Sequence, residues 1–447
     1  MKKILIATFL SAVLFSCKKI SEKENVLQPG ATAASNSSSR TISSSILQWQ
    51  KCFGSAGTDD GYSIAAAAKD AVTGNSTGYF LVGTTNGNNG YVSGNHGNND
   101  AWLVKTDLSG TFKWQLAIGG TGNDYGKGVV VTDDGGCLVA IDAYSTDGDF
   151  STLGTQTGFV IVKVNSAGII VWSQRYGSGV VQAMIKTSSG VAITGYISGP
   201  QFVDPQQSVW LLTLKPDPVA IQDQPYIKGP EYTYGLPNTH GETGYGITQT
   251  QSGGFAIVGA TYSIVNSNPD IWVVNTDVNG TQLWTYELGG AGADIGWGIT
   301  SSPDGSVIFT GQVGLNLVVV KLDASGNQSP SGWSTIYLGG QLRGIRGQAI
   351  ISANDGYIVT GSTSSNKGEI LNTNGGEDMI FVKVGLDGSK QTSYSFGGTG
   401  DERGKSIIPL PDANIGYMAL GYTTSNNGVV SGNNGGKDFW MVKMNAP

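Results

Sequence analysis

The chain has little of what most metal sites and nucleic-acid-binding surfaces require. Its 447 residues include 2 histidines and 3 cysteines, and only 13% of them are charged. So few histidines exclude a His-rich metal site, and no His/Cys spacing suits zinc. The formal net charge is −7, and no basic run follows Lys2 and Lys3 at the N-terminus. The sequence therefore lacks the electrostatic footprint of a nucleic-acid-binding protein, and we predict no metal and no nucleic-acid partner.

Helical patterning is also missing. After residue 25 no amphipathic helical pattern of useful length occurs, which removes the helix that a Gly-x-Ser-x-Gly nucleophile turn would open. Glycine is abundant instead, with 68 residues, about twice the average usage. Between the glycines, aromatic and β-branched residues alternate with polar ones. This composition predicts many short strands joined by tight turns.

Residues 1–17, MKKILIATFLSAVLFSC, have the layout of a signal peptide. A basic start at Lys2 and Lys3 precedes the apolar stretch Ile4–Phe15, which is too short to span a bilayer comfortably. The last four residues resemble a bacterial lipobox, in which Cys17 would be acylated and become the new N-terminus. Phe15 departs from the usual small residue, so ordinary cleavage remains the alternative.

The segment after Cys17 is polar and rich in Ser, Asn and Ala as far as residue 45, which predicts a flexible tether. By analogy with Gram-negative lipoproteins, the absence of Asp at position 18 favours the outer membrane over the inner. The sequence does not distinguish the periplasmic side from the cell surface. We expect a lipid-anchored monomer. Cys52 and Cys137 fall in strands of two different sequence repeats, which we expect to lie far apart, so no disulfide is predicted between them.

A motif of the form Gly-Gly-x-Gly-x-Asp-x-Gly recurs at Gly119–Gly126, Gly289–Gly296 and Gly397–Gly404, with a degenerate copy at Gly54–Gly61. Counting degenerate copies at Gly177 and Gly339, the steps are 65, 58, 112, 50 and 58 residues. The step of 112 equals two periods with one copy lost. Self-similarity at about 50 residues is typical of a propeller or a solenoid.

Each repeat has the same internal order of strands and turns. The motif precedes a first strand, an Asp-Gly hairpin turn leads to a second, and a variable loop leads to a third. The third strand ends in Asp-x-x-Gly, which suits a type I turn, and a fourth strand with a Trp follows. Four antiparallel strands per repeat make a propeller blade. First and third strands each number seven, and the spare strand Ile46–Phe53 is predicted to pair with Asp438–Met444 and close the ring.

These motifs resemble those of bacterial Gly-Gly/Trp-repeat seven-bladed propeller lipoproteins, over about residues 46–444. The phrase Lys-x-Asp-x-x-Gly-x-x-x-Trp also resembles the quinoprotein-type propeller repeat. The resemblance implies an all-β, seven-bladed β-propeller over residues 46–447, with four-stranded antiparallel blades. It implies nothing about activity, because propellers host enzymes, lectins and scaffolds.

In blades of this order, the motif loops and the variable loops emerge on one face, where we expect function. An acid recurs in the motif itself, at Asp59, Asp124, Asp294 and Glu402. One interpretation is an acidic ring for a cation or a polyol. The favoured interpretation is structural, with each carboxylate accepting N–H groups of its own loop. The same applies to the acids that start third strands, Asp100, Asp270, Asp378 and Asp438.

Departures from the repeat are better candidates for ligand contact. The irregular junction Pro216–Gly244 brings together Tyr226, Tyr232, Tyr234, His240 and Glu242, a patch that would stack on a glycan or peptide. Its alternative is a loop whose tyrosines cover a blade edge. His96 is the remaining candidate, in Thr85–Asn99. That Asn-rich loop nearly copies Thr424–Lys437 and is expected to share a polar surface with it.

The sequence favours a non-catalytic module that binds a protein or a glycan through this face, with no cofactor predicted. The alternative is a propeller glycosidase, lyase or quinoprotein acting on extracellular carbohydrate, and a spacer without a small ligand is a third possibility. Unrelated charged side chains converging on one end of the channel would favour catalysis. A channel lined by repeated small residues would favour binding.

Overall fold

The structure is a computed structural model that describes residues 46–68, 76–198, 207–216, 225–236, 239–263, 268–328, 335–339, 344–365, 375–411 and 415–446. Within these ranges the chain forms 28 β-strands and one short 3₁₀ turn at Gly148–Phe150. The predicted signal peptide with Cys17, and the predicted tether, lie outside the described residues. No helix in the described part has the length and apolarity needed to cross a membrane.

The strands form seven antiparallel blades of four strands, so the predicted seven-bladed β-propeller is confirmed. Strands are numbered in chain order, and within each blade they are listed from the innermost to the outermost. Blade 1 is β2 (Asp59–Ala66), β3 (Tyr79–Thr85), β4 (Asp100–Thr106) and β5 (Phe112–Ile118). Blade 2 is β6 (Asp124–Val131), β7 (Cys137–Ala143), β8 (Gly158–Val164) and β9 (Ile170–Gly177). Blade 3 is β10 (Val180–Thr187), β11 (Gly190–Ser198), β12 (Gln207–Lys215) and β13 (Ile227–Tyr234).

Blade 4 is β14 (Thr239–Gln249), β15 (Phe255–Ser263), β16 (Pro269–Thr276) and β17 (Gln282–Leu288). Blade 5 is β18 (Ile295–Ser301), β19 (Val307–Val313), β20 (Asn316–Leu322) and β21 (Thr335–Leu338). Blade 6 is β22 (Ile345–Ala353), β23 (Gly356–Thr363), β24 (Asp378–Gly385) and β25 (Lys390–Phe396). Blade 7 is β26 (Glu402–Pro409), β27 (Gly416–Thr423), β28 (Asp438–Asn445) and β1 (Leu47–Phe53).

The last blade takes its outer strand from the start of the folded chain. β1 pairs antiparallel with β28, in a register that runs from Leu47 opposite Met444 to Phe53 opposite Phe439. The predicted closure is therefore confirmed. The innermost strand β2 packs beside β26 and β27, so blades 7 and 1 complete the ring. Closure thus gives the last blade its fourth strand, which would otherwise leave β28 as an unpaired edge.

The core lies between neighbouring blades. Second and third strands such as β3 and β4 are buried along their whole length because both of their faces meet another blade. Their largest side chains fill these interfaces: the Trp102 ring of blade 1 lies 4.6 Å from the Phe439 ring of blade 7, centroid to centroid. Large apolar side chains buried on both faces give each interface its main stabilisation.

The outer tryptophans join each blade to the next. The Trp49 ring covers Gly110 and the Trp284 ring covers Gly326, and both glycines end an Asp-x-x-Gly turn with φ near +75° and +80°. Trp284 Nε1 also donates to the Ala324 carbonyl at 3.0 Å. These two tryptophans thus pack on the turn between the third and fourth strands of the following blade.

Each innermost strand contains a β-bulge at the same place, and β14 has a second register shift between Thr239 and Gly241. The strand register skips one residue in every blade, and that residue has no partner on the second strand. The extra residues are Tyr62, Lys127, Gln182, Tyr245, Trp297, Gln348 and Lys405.

The bulge demands close approach of the second strand. In blade 7, Gly421 lies opposite Gly404, and a Cβ at Gly421 would collide with the Arg403 carbonyl oxygen. A glycine stands at the matching position of every second strand except that of blade 2, which has Ile141. Glycine is needed here for space, since its backbone conformation is an ordinary extended one.

The two cysteines of the propeller are both free and buried. Cys52 packs in the core between blades 6 and 7, and Cys137 packs in the core between blades 1 and 2. Burial raises the pKa of Cys137 to about 12 and also raises the pKa of Cys52. Both thiols therefore belong to the apolar core.

A Gly421→Ala substitution tests the bulge. The added methyl group must displace the Arg403 carbonyl, so we expect the free energy of unfolding to fall by about 1–3 kcal/mol. Gly290→Ala is the matched control, because no atom lies within 4 Å of a Cβ built there. Urea denaturation of both variants measures the difference. Equal stability of the two would contradict the steric account.

Candidate functional site

The variable loops and the loops between blades lie on one face, named here the loop-rich face. At several junctions, backbone hydrogen bonds join the loop between two blades to the end of the variable loop of the preceding blade. Asp59 N donates to the Lys437 carbonyl at 2.6 Å, and Asp124 N donates to the Asn99 carbonyl at 2.6 Å. The opposite face carries the short Asp-Gly and Asp-x-x-Gly turns, and the seven innermost strands enter the central channel from the loop-rich side.

The acids of the repeat motif are fully buried and bound to their own loops. Asp124 accepts the Gly120 N–H at 2.9 Å and the Ser145 hydroxyl at 2.6 Å. Asp294 accepts the Gly290 N–H at 2.8 Å with one oxygen and the Gly314 N–H at 2.7 Å with the other. Such contacts fix the turn from one blade to the next. Asp59 and Glu402 hold the same kind of contacts.

A second carboxylate lies close to each of these acids. The first glycine of the motif separates them: a Cβ at Gly54 would collide with Asp438 and lie 2.8 Å from Asp59 Oδ2. Burial, together with a smaller effect of the nearby Asp59 carboxylate, raises the pKa of Asp438 to about 6. Burial also raises the pKa of Asp59. At this blade junction, removal from water and repulsion between the two carboxylates therefore act in the same direction, and both raise the pKa.

Glu242 occupies the same place in blade 4. It is 2% exposed, pairs with Thr261 across β14 and β15, and accepts the Thr261 hydroxyl at 3.2 Å. Glu402 pairs with Thr423 and accepts its hydroxyl in the same way. The sequence held the signal, since the Glu-x-Gly that begins at Glu242 matches the Asp-x-Gly or Glu-x-Gly at the start of the innermost strands of blades 1, 2, 5 and 7.

The tyrosines of the irregular junction lie at the outer edge of blade 3. Tyr226 packs against Trp172 and accepts the Tyr176 hydroxyl with its carbonyl at 2.6 Å. The Tyr232 ring covers Gly280, as the outer tryptophans cover their turns. The Tyr234 hydroxyl donates to the Gly280 carbonyl at 2.7 Å. These three side chains join blade 3 to its neighbours, and the structure does not bring them to the channel.

Two histidines were named as candidates. His96 lies on the loop-rich face between blades 1 and 2, with Nδ1 at 2.9 Å from Asp100 Oδ2 and 3.9 Å from Asp149 Oδ2. Beside it is an open cleft of about 590 Å³ lined by asparagines and a glycine of these two blades. His240 belongs to β14, and its side chain lies outside the described residues.

The two Asn-rich loops meet at residues 54–58. From the blade 1 loop, Asn89 Oδ1 accepts the Ala56 N–H and Asn86 Oδ1 accepts the Thr58 N–H, both at 2.7 Å. From the blade 7 loop, Gly436 N donates to the Gly57 carbonyl at 3.0 Å. The loops thus form one continuous polar surface over blades 7, 1 and 2.

A cavity of about 410 Å³ occupies the channel and is lined by all seven innermost strands. The seven bulge residues all line it, and all are half-buried; they are named here the channel ring. In order from blade 1 the ring is Tyr62, Lys127, Gln182, Tyr245, Trp297, Gln348 and Lys405. Its chemistry differs from blade to blade although its backbone position does not.

The two lysines of the channel ring flank Tyr62. Lys127 Nζ lies 4.6 Å from the Tyr62 ring centroid and Lys405 Nζ lies 5.4 Å from it, both over the ring. Burial lowers the pKa of each lysine, against the attraction of Asp60, which for Lys127 is joined by Asp142. For lysines in such positions, burial disfavours the charged form, and no close counter-ion among the described residues offsets this effect.

The nearby carboxylates are engaged elsewhere. Asp60 Oδ2 lies 3.7 Å from Lys437 Nζ, and Asp142 accepts the Val181 N–H at 2.7 Å. Burial raises the pKa of Asp142 to about 6, with Lys127 opposing the shift. Charged groups of three blades therefore converge near the loop-rich end of the channel, and the channel is not lined by repeated small residues.

Sequence reasoning missed the channel ring as a site. Its signal in the sequence is the residue that directly follows Asp-x-Gly or Glu-x-Gly at the start of the innermost strand, which differs between blades 7, 1 and 2 as Lys405, Tyr62 and Lys127. No group of three or more His, Cys, Asp or Glu side chains suited to a metal ion occurs among the residues that the structure describes.

No protein-family model and no curated protein sequence matches the chain. Among solved structures, Sqt1 from Chaetomium thermophilum is similar at 11% identity and a TM-score of 0.44, covering 89% of this chain and all of its own. The PQQ-bound aldose sugar dehydrogenase from Streptomyces coelicolor is similar at 10% identity and a TM-score of 0.37, covering 71% of this chain and 94% of its own.

A protein of unknown function from Bacteroides caccae is similar at 9% identity and a TM-score of 0.34, over 68% of this chain and 92% of its own. At such identities and scores these similarities carry no argument about activity, substrate or partner. The site must therefore be interpreted from its own geometry.

The junction carboxylates predict a pH dependence of stability. Because the folded-state pKa of Asp438 is about 6, above the ordinary 3.8, folding favours its protonated form. Its contribution to stability is thus lost as pH rises from about 4 to 6 and stays lost above that, by roughly 3 kcal/mol. We expect Asp438→Asn to be less sensitive to pH in this window, in urea unfolding at pH 4.5 to 7.5. Asp133→Asn, at a 95% exposed side chain, is the control. If the free energy of unfolding changed with pH equally in Asp438→Asn and the unsubstituted protein, the assignment would be contradicted.

Proposed function

We propose that this protein is a lipid-anchored binding module of the cell envelope that takes up a glycan at the channel mouth of its loop-rich face. The observation that carries the proposal is the channel ring. Seven equivalent backbone positions hold two lysines, two glutamines and three aromatic residues, around a cavity of about 410 Å³. That volume falls in the range of small-ligand sites, and a few polar groups among aromatic ones are typical of such sites.

Contrast with the rest of the molecule supports this proposal. Features that recur at the blade junctions, such as the buried acids, hold loops in place. Residues that only supported the fold would be expected to repeat as well, as Trp102, Trp210, Trp272 and Trp440 do. The channel ring varies while its backbone does not, which is what selection for a ligand would produce.

The Asn-rich loops give the channel mouth its surroundings. They cover the sector of blades 7, 1 and 2, from which Lys405, Tyr62 and Lys127 enter the channel. Asparagine side chains and glycine backbone in this surface offer donors and acceptors to hydroxyl groups. A longer glycan would thus contact the loops outside the channel and the ring inside it.

The anchor rests on the sequence alone. Acyl chains on Cys17 would hold the protein at the membrane, each buried CH₂ contributing roughly 0.8 kcal/mol. A polar tether over residues 18–45 would then leave the propeller free of the membrane surface. We place the protein at the outer membrane on the same grounds.

Catalysis on extracellular carbohydrate is the second candidate, and one observation favours it. Lys127, Lys405 and Asp60 come from three blades and converge near one end of the channel. The lowered pKa of the lysines is typical of groups that exchange protons in enzymes, although structural networks also produce such shifts.

The binding prediction is tested by exposing the purified protein to an array of immobilised glycans and, separately, to the same glycans in solution. We expect retention on the array without product formation, because the ring offers contacts but no assigned nucleophile. Product detected by mass spectrometry would establish the enzyme instead. If no glycan were bound and the immobilised propeller instead retained an envelope protein, the ligand would be a protein and not a glycan.

A Cys17→Ala substitution tests the anchor. We expect the variant to leave the membrane fraction, because it loses the acylated residue, and to keep its glycan binding, because the propeller is unchanged. Fractionation with metabolic labelling by a radioactive fatty acid measures both label and location. Membrane association of the variant equal to that of the unsubstituted chain would refute lipidation at Cys17.

A further inference from the structure

The channel ring has an internal order that no single blade shows. Starting at Tyr62 and moving in either direction, the ring gives a lysine (Lys127 or Lys405), then a glutamine (Gln182 or Gln348), then an aromatic residue (Tyr245 or Trp297). The cationic arc of blades 7, 1 and 2 therefore faces the aromatic arc of blades 4 and 5 across the channel. A glutamine separates the two arcs on each side.

In the part of the chain that the structure describes, the two lysines of the cationic arc, Lys127 and Lys405, have no carboxylate bound to them. Within the described ranges, neither Lys127 nor Lys405 forms an ion pair or a hydrogen bond to a carboxylate. Both ammonium groups instead lie over the face of Tyr62, within 5.4 Å of its centroid. Two half-buried cations without a close counter-ion repel each other, and an anion bound beside them would offset both the repulsion and the cost of desolvation.

The charged groups around the two lysines do not neutralise them. Asp60 attracts both lysines, but its nearest cation is Lys437, at 3.7 Å. Arg403 lies near Lys405 and is itself bound to Glu377, with Nη2 at 2.9 Å from Oε1. The cations at this end of the channel that have carboxylate partners are thus outside the ring, and the two inside it are those without.

We propose that the channel ring binds a carboxylated sugar, with the carboxylate bound by the cationic arc of Lys127 and Lys405 and an apolar sugar face on the aromatic arc. Rings of Tyr and Trp present flat apolar surfaces to C–H groups. The side-chain amides of Gln182 and Gln348 each donate and accept, as vicinal hydroxyl groups require. One ligand that needs an anion site, an apolar face and hydroxyl partners is a uronic acid residue.

Other anions match less of the ring. A phosphate or an acetate would use the cationic arc and leave the aromatic arc without a contact. An acidic peptide end would leave the paired glutamines without hydroxyl groups to bind. The cavity of about 410 Å³ is large enough for a sugar residue or two.

This inference rests on the proposed glycan-binding function and deepens it. The experiment uses the purified full chain and three probes: methyl glucuronide, methyl glucoside and acetate. We expect the full chain to prefer the glucuronide over either other probe by about tenfold or more, measured by calorimetry, since one charge-assisted contact is worth at least that factor. The glucuronide should also shift the indole N–H resonance that Trp297→Phe removes.

The double variant K127Q/K405Q should lose the preference for the glucuronide and keep the weaker affinity for the glucoside. Because it removes two poorly solvated charges, we expect it to fold. K113Q/K186Q is matched to it in charge, and both of its lysines lie in ion pairs away from the ring, with Asp107 and Asp133. That control should keep the full preference.

Three results would overturn the inference: no preference by the unsubstituted chain, an undiminished preference in K127Q/K405Q, or a glucuronide that leaves the Trp297 resonance unshifted. Acetate binding as tight as the glucuronide would reduce the site to a simple anion site and also overturn it. If the array retains the double variant and the unsubstituted chain equally on glycans that contain uronic acids, glycan binding stands and its assignment to the channel ring fails. If no glycan is retained by either, both fail.

Discussion

The meeting of a β-bulge with a glycine, repeated around the ring, shapes the centre of this propeller. In six of the seven blades the bulge brings a backbone carbonyl against a glycine of the second strand, where a Cβ would collide with it; blade 2 has Ile141 at this position. At Gly421 the space is filled by the Arg403 carbonyl, and at Gly259 by that of Thr243. Each blade gains one residue that is free of strand pairing and lines the channel.

This arrangement separates the parts that build the fold from the parts that can vary. Buried acids such as Asp124 and rings such as Trp102 repeat because each junction and interface needs the same contacts. The bulge residue makes no contact that the repeat requires, so Tyr62, Lys127 and Gln182 can follow one another without strain. A symmetric scaffold thereby acquires an asymmetric site at its centre.

Much of the fold could be predicted from the sequence because the repeat itself counts the blades. Asp-Gly and Asp-x-x-Gly turns mark the strand ends, and the surplus strand before Gly54 predicts its own pairing with β28. The candidate site was harder. Tyr232 lies close in sequence to Glu242, but the first is in the outermost strand of blade 3 and the second in the innermost strand of blade 4. The tyrosine therefore covers Gly280 at the outer edge, while Glu242 is buried near the channel. Proximity along the chain is a poor guide to proximity in a radial fold.

The sequence by itself determined the all-β class, the seven blades, the closing strand and the structural nature of the repeated motif, because each depends on local turns and on periodicity. Only the tertiary structure decided which residues share a surface. Lys127 and Lys405 are 278 positions apart in the chain, yet both lie over Tyr62 because ring closure makes blades 7, 1 and 2 neighbours. Local rules fix each blade, but the site exists only when seven blades bring one residue each to the same axis.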